Sequence, residues 1–137
     1  MIKVAHTIHH DHDFSLVLLA LLLCAFGSWV VSRLYQHALG RPRSQALIWY
    51  MLTALTAGVA IWCTHFIAIL AYQPAAPVTF NLQLTFISLL IAIAGCTVGI
   101  IIAGMFRSVV TTIIGGAVFG MAVSAMHYTG MVAYRVE

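Results

Sequence analysis

The stretch Met126-His127-Tyr128-Thr129-Gly130-Met131 sets an imidazole among thioethers near the end of a long apolar run. A second imidazole stands in Trp62-Cys63-Thr64-His65-Phe66-Ile67, again surrounded by apolar residues. An ionisable group buried in such a run is costly, which marks His65 and His127 as candidate site residues. Neutral imidazole suits copper, iron or zinc, and thioether sulfur selects soft Cu(I). His127 and Met131 are four residues apart, so a helix presents their nitrogen and sulfur from one face. Met126 is turned by ~100° from His127 and reaches the same ion less easily. The plain alternative is two neutral imidazoles, each hydrogen-bonded to a hydroxyl or carbonyl of a neighbouring helix.

Other chemistry has less to build on. No Asp or Glu falls within the long apolar runs, which leaves no buried carboxylate base or proton relay. The expectation is therefore neither an enzyme nor a proton-coupled transporter. Cys24, Cys63 and Cys96 all lie in apolar runs without a CxxC pattern and read as small buried hydrophobes. The tail, residues 1–13, is polar, with His6, His9, His10 and His12 interleaved with Asp11 and Asp13. Such a tail can take up metal ions, and it needs a site nearby to be more than adventitious.

Composition decides the class. Of 137 residues, 63% are hydrophobic and 7% charged, with a mean hydropathy of +1.05. Soluble domains carry about 25% charged residues, so this chain lacks the polar surface to cover a water-soluble globule. The net charge of +3 is spread over segment ends, which gives no support for nucleic-acid binding.

Four apolar runs, residues 14–35, 46–72, 82–106 and 109–134, can each cross a bilayer, where about 20 residues span ~30 Å. Only helices or closed barrels satisfy their backbone in lipid, and continuous runs of this length are helices. Asp13 and Asn81 stand where N-caps belong. Tyr35, Trp49, Tyr50, Tyr72 and Tyr134 stand near the ends, as interfacial aromatics do. The opening carries one lysine against two aspartates before too long an apolar run, so it is not a cleaved signal peptide. Arg33, Arg41 and Arg43 surround the first loop and Arg107 the third, whereas the second loop, residues 73–77, is uncharged. The positive-inside rule then places loops one and three in the cytoplasm and both termini, with loop two, on the outer side of the membrane.

The chain is internally repeated. An offset of 62 aligns His65 with His127, Gly58 with Gly120, Ala60 with Ala122, and Ala71-Tyr72 with Ala133-Tyr134. An offset of 68 aligns Asp13 with Asn81, Leu21-Leu22 with Leu89-Leu90, and Gly27 with Gly95. The fold class expected is all-α integral membrane, with four transmembrane helices as two tandem helical-hairpin repeats (about 14–72 and 80–134) in the same orientation. Each histidine precedes its terminal tyrosine by seven residues, roughly 10 Å of helix, which sets both at one depth in the outer third of the bilayer. A glycine one heptad below each histidine suggests that this stripe faces the bundle. Gly116-x-x-x-Gly120-x-x-x-Ser124 and Gly95-x-x-x-Gly99 continue the small-residue pattern.

These residues resemble a known family. Met126-His127-Tyr128-Thr129 followed by Gly130-Met131 is similar to the motif that names the MHYT domain, a bacterial integral-membrane sensory module. Trp62-x-x-His65-Phe66-Ile67 is similar to the corresponding element of another repeat, and residues 13–28 look like the family's first helix. The resemblance covers the chain from about residue 12, so residues 14–137 read as the domain. It implies a copper site near the outer face made by motif Met and His residues, with O2, CO or NO as ligand. It also implies a cytoplasmic output module in many members, such as a cyclic di-GMP enzyme or a histidine kinase. Two departures stand out. The first copy has Thr64, Ala68 and Ile69 where the family has methionines, so it offers histidine without thioether. The family usually has three repeats and two are present; with both termini outside, an output domain is not expected to follow Glu137 directly. That points to a truncated piece, a reduced member or one part of a larger assembly, as a homo-oligomer or with a separate signalling output protein.

The expected function is a metal-centred membrane sensor, with copper at His65, His127, Met131 and Met126. A bis-histidine haem module is the second reading, with His65 and His127 as axial ligands; Trp62 and Phe66 crowd the space it would need. A cofactor-free scaffold is the third.

Overall fold

A computed structural model of the chain describes residues 13–72 and 78–136. Its elements are α1 (Phe14–Leu39), α2 (Arg43–Ala71), β1 (Val78–Phe80), α3 (Leu82–Phe106), α4 (Val109–Ala133) and β2 (Tyr134–Val136). All four helices are long and apolar enough to cross a membrane. The protein is an all-α, multi-pass membrane protein made of two helical hairpins. The N-terminal histidines and the second loop lie outside the described residues.

The helix starts follow from the caps. The Asp13 carboxylate accepts from the Ser15 amide at 2.9 Å, and the Asn81 side-chain carbonyl from the Leu84 amide at 3.1 Å. Ser108 caps α4 reciprocally with Thr111, a pattern that satisfies two otherwise orphaned groups. Helices α1 and α2 run further toward their shared loop than their apolar cores, because the helix continues through the polar residues of the interfacial zone. At that end, arginines satisfy the carbonyls that a helix leaves unpaired. Arg107 Nη2 donates to the Leu39 carbonyl at 2.6 Å, and Arg43 Nη2 to the Met105 carbonyl at 3.4 Å. Arg107 itself adopts φ 47°, the left-handed turn that reverses the chain between α3 and α4.

Packing is between neighbours in sequence: α1 on α2, α2 on α3, and α3 on α4, with α2 and α4 touching more narrowly. Lipid tails are as apolar as leucine, so helices associate through close backbone approach. A Cβ added at Gly27 would come within 2.7 Å of Ala60 Cβ, and one added at Gly95 would collide with Ala122 Cβ. These are the same contact in the two repeats, at the 68- and 62-residue offsets. The Asp13 amide donates to the Ala71 carbonyl at 2.8 Å, and its counterpart Asn81 to the Ala133 carbonyl at 2.9 Å. The duplication seen in sequence is thus a duplication of contacts.

The hairpins join through α2 and α3. Gly58 lies against the Ile93 backbone, Trp62 Nε1 donates to the fully buried Ser88 Oγ at 3.1 Å, and the Tyr50 hydroxyl donates to the Gly104 carbonyl at 3.1 Å. Tyr50 and Gly104 fit so closely that a methyl at Gly104 would overlap the ring.

Two features depart from the sequence reading. Tyr134 is not helical: Tyr134–Val136 pairs antiparallel with Val78–Phe80, Phe80 opposite Tyr134. The α4 glycines also divide differently from the expectation of a stripe facing the bundle. Gly115 is buried against Gly99 and Ala103, whereas Gly116 and Gly120 have nothing within 4 Å of an added Cβ.

Tyr50→Phe should lower stability by about 0.5–1.5 kcal/mol through loss of one hydrogen bond. Gly104→Ala should cost about 1–3 kcal/mol through overpacking. Thermal unfolding in detergent measures both, and wild-type midpoints for the two variants would show that this contact does not secure the hairpin junction.

Candidate metal centre

His65 on α2 and His127 on α4 meet. Their Nδ1 atoms are 3.4 Å apart, with ring centroids 4.8 Å apart and planes at 71°. They are equivalent residues of the two repeats, so the same atom of each faces the other across the junction of the hairpins. Of the expected site residues these two are brought into direct contact.

A separation of 3.4 Å exceeds the 2.7–3.2 Å of a good N–H···N or N–H···O bond. Moreover, no tautomer satisfies the pair fully. Whichever ring donates its Nδ1 proton, Nε2 of His65 is buried with no hydrogen-bond partner among the described residues, and Thr64 Oγ1 is in the same state. Phe66 lies edge-on to His65 at 5.3 Å, and a Cβ on Gly130 would stand 3.0 Å from His65 Nε2. Gly130 thus makes room for the His65 ring. Above, a row of aromatic rings runs Trp62, Phe66, Phe80, Tyr134, with successive centroids at 4.8, 6.0 and 5.6 Å. Phe66 brings this row against His65, and Phe80 and Tyr134 carry it to the end of the bundle where the strands pair.

The histidines open on a cleft of about 700 Å³ between α1 and α4, with α2 as its floor. Its walls are mainly apolar, with Cys24, Ser28, Ser32, Thr64, Ser124 and Tyr128 adding polar groups beside the histidines. Met126 lines it and is 1% exposed, whereas Met131 is 44% exposed and is not among the lining residues. On α4 Met126 is thus the buried thioether, whereas Met131 is exposed, as His127 four residues before it is. The reason is the rotation of α4: its buried residues are Gly115, Ala122, Met126, Gly130 and Ala133. That stripe leaves His127 at its edge and turns Met131 outward.

The donor set can be tested against candidate metals. Two nitrogens held about 2.0–2.1 Å from one ion at a near-tetrahedral angle stand about 3.3–3.4 Å apart, the spacing of this pair. Among the described residues no third His, Cys, Asp or Glu completes a cluster. A structural zinc site with four such ligands is therefore not assembled there, whereas two imidazoles with the Met126 thioether nearby fit the softer demands of Cu(I). Axial haem ligation fits less well, since opposed nitrogens would stand about 4 Å apart with a macrocycle between the rings.

Gly130, Thr64 and the aromatic row were not singled out as site residues from sequence. Only Gly130 carries a signal there, as the glycine three positions after His127 where α2 has Ala68.

Comparison with known proteins agrees with this architecture. The MHYT family model, described as a bacterial signalling protein N-terminal repeat, matches residues 58–116 and 120–137. Those two matches begin at Gly58 and Gly120, one repeat apart. An uncharacterized signaling protein of Caulobacter vibrioides is 36% identical over 127 residues, covering 93% of this chain and 16% of the relative. The cyclic di-GMP phosphodiesterase NbdA of Pseudomonas aeruginosa is 31% identical over 122 residues, covering 88% and 16%. The bifunctional diguanylate cyclase/cyclic di-GMP phosphodiesterase MucR of the same organism is 32% identical over 90 residues, covering 65% and 13%. The chain thus spans about one sixth of the length of these relatives. No solved structure matches it. With both repeats matched and their histidines in contact, the chain belongs to the MHYT family of bacterial signalling-protein membrane domains.

Proposed function

We propose that this domain is the sensory input of a signalling protein, and that its sensing centre is a copper ion held by His65 and His127. The observation that carries the reading is the 3.4 Å approach of two equivalent imidazole nitrogens at the edge of an apolar cleft. His65 is half-buried and His127 exposed at the cleft edge; their facing Nδ1 atoms stand too far apart for a good hydrogen bond, and a shared cation would match both. Met126, which lines the cleft with the pair, supplies the thioether that favours Cu(I), while Met131 is outside that lining. The copper would supply a site for O2, CO or NO, which dissolve in apolar media and reach it through the cleft. His65 and His127 hold the ion, Gly130 leaves room for the ring, and the aromatic row packs against His65 through Phe66.

In this reading the domain sits in the bacterial inner membrane with the His pair in the periplasmic half. Arg33, Arg41, Arg43 and Arg107 cluster toward the α1–α2 and α3–α4 turns, which favours those turns as cytoplasmic. The names of NbdA and MucR suggest cyclic di-GMP turnover as the output, carried by regions of the full protein beyond the length compared here.

Protein purified in detergent under reducing, copper-replete conditions should hold about one copper per chain by elemental analysis. A His65→Ala, His127→Ala double variant should lose it. A Soret band would favour haem instead, and absence of both metal and haem would leave only a packed scaffold.

Gly130→Val should displace the His65 ring and weaken Cu(I) binding about 10–100-fold, the range found when support around a ligand is lost. Competition with a Cu(I) chelator reads this. In the same assay Met126→Ala should weaken binding more than Met131→Ala. The opposite order would move the thioether role to Met131.

A further inference from the structure

The open glycines of α4 have an occupied counterpart inside the same chain. On α2, Ala54, Gly58 and Trp62 form the stripe that receives α3: Ala54 is fully buried, Gly58 touches the Ile93 backbone, and Trp62 bonds Ser88. Sixty-two residues on, the same positions of α4 are Gly116, Gly120 and Ser124, all exposed, with empty space over both glycines. The other half of the contact is also duplicated. On α3 the residues on the α2 side are Ala92, Cys96 and Ile100, 1%, 0% and 8% exposed. Sixty-eight residues back, their equivalents on α1 are Cys24, Ser28 and Ser32, small and exposed. One chain therefore carries both halves of a helix contact that it makes once, between α2 and α3, and leaves unmade between α4 and α1.

The two free stripes cannot simply close on each other within the chain. The Gly27–Ala60 approach fixes α1 to α2, and the Gly95–Ala122 and Gly99–Gly115 approaches fix α4 to α3. Cys24, Ser28 and Ser32 on one wall and Ser124 on the other are held apart by the cleft. With both hairpins so fixed, closing it would turn one against the other and break their junction at Gly58–Ile93, Trp62–Ser88 and Tyr50–Gly104.

We propose that a second copy of this chain docks its α1 on the open Gly116–Gly120 face of α4, repeating between chains the contact that joins α2 to α3 within one. A two-fold dimer makes this contact twice, α1 of each copy on α4 of the other, and leaves no stripe open. Small-residue faces of this kind are where helices approach closely in lipid, and here the repeat itself specifies which helix fits. The inference does not depend on copper.

Two measurements on the full chain test it. With Cys24, Cys63 and Cys96 replaced by Ala, two differently tagged chains are co-expressed and oxidised in native membranes, one carrying Ala25→Cys and the other Gly120→Cys. Ala25 is the equivalent of Ile93, so this pairing should form an interchain disulfide, and neither substitution paired with itself should do so. Separately, light scattering in mild detergent should give a two-chain mass for the wild type and a one-chain mass for Gly116→Leu, Gly120→Leu. The one-chain species should still unfold in a single cooperative transition, because no described residue lies within 4 Å of a Cβ at either position, and an aggregated or already unfolded variant would not. A wild-type mass of one chain with no interchain disulfide would overturn the proposal and leave the stripes to lipid. A disulfide within one chain carrying both cysteines would mean that the cleft shuts on itself. A disulfide between two Gly120→Cys chains would mean a symmetric α4–α4 contact, which also overturns it.

Discussion

Close backbone approach at small residues holds this molecule together. In water, apolar side chains would drive the helices together; in lipid they gain little by leaving the hydrocarbon, and the advantage passes to surfaces that fit. Gly27 on Ala60, Gly95 on Ala122 and Gly99 on Gly115 are such fits within the hairpins, and Gly58 on Ile93 and Gly104 on Tyr50 are such fits between them. Large apolar residues such as Leu21, Leu82, Val109 and Ile113 remain outside, exposed toward where lipid would be. The interior is consequently built of Ala, Gly, Ser and Thr, with Tyr50 and Met126 as its largest fully buried side chains.

That thin interior explains the setting of the histidines. Helices α2 and α4 touch only narrowly, so His65 and His127 are not enclosed by a core but stand at a seam between two rigid units, beside a cleft. The low dielectric of such a seam raises the cost of an unmatched donor or acceptor. Nε2 of His65 and Oγ1 of Thr64 both remain unmatched by protein groups. The facing Nδ1 atoms, 3.4 Å apart, are the part of this polarity that a shared ion would match.

Much of this was legible in the sequence. The four spans followed from run length, Asp13 and Asn81 as caps from residue type, and the equivalence of His65 and His127 from a constant offset. Rotation was not legible. A helix that is apolar all round carries no hydropathy signal for which side turns inward, so the Gly58 stripe of α2 was read correctly while its α4 counterpart was not. Gly115 and Gly116 are adjacent and chemically identical, yet one is buried against α3 and the other is open. The difference depends on where α3 lies, and that is a tertiary fact. The short strands were hidden for another reason: Tyr134–Val136 continues an apolar run, and only the partner strand Val78–Phe80 gives it an extended form.

The amide of each N-cap, Asp13 and Asn81, is bonded to the last turn of the helix that returns beside it. Each hairpin is therefore fastened at both ends, by its loop at one and by this bond at the other, and the second hairpin adds the strand pair. Such a unit resists splaying and behaves mechanically as a plank. Two planks joined along one seam retain mainly the angle between them. The imidazoles sit on opposite planks at that seam, so anything that changes their separation by a fraction of an ångström acts on this angle, with each plank as a lever some 25 residues of helix long.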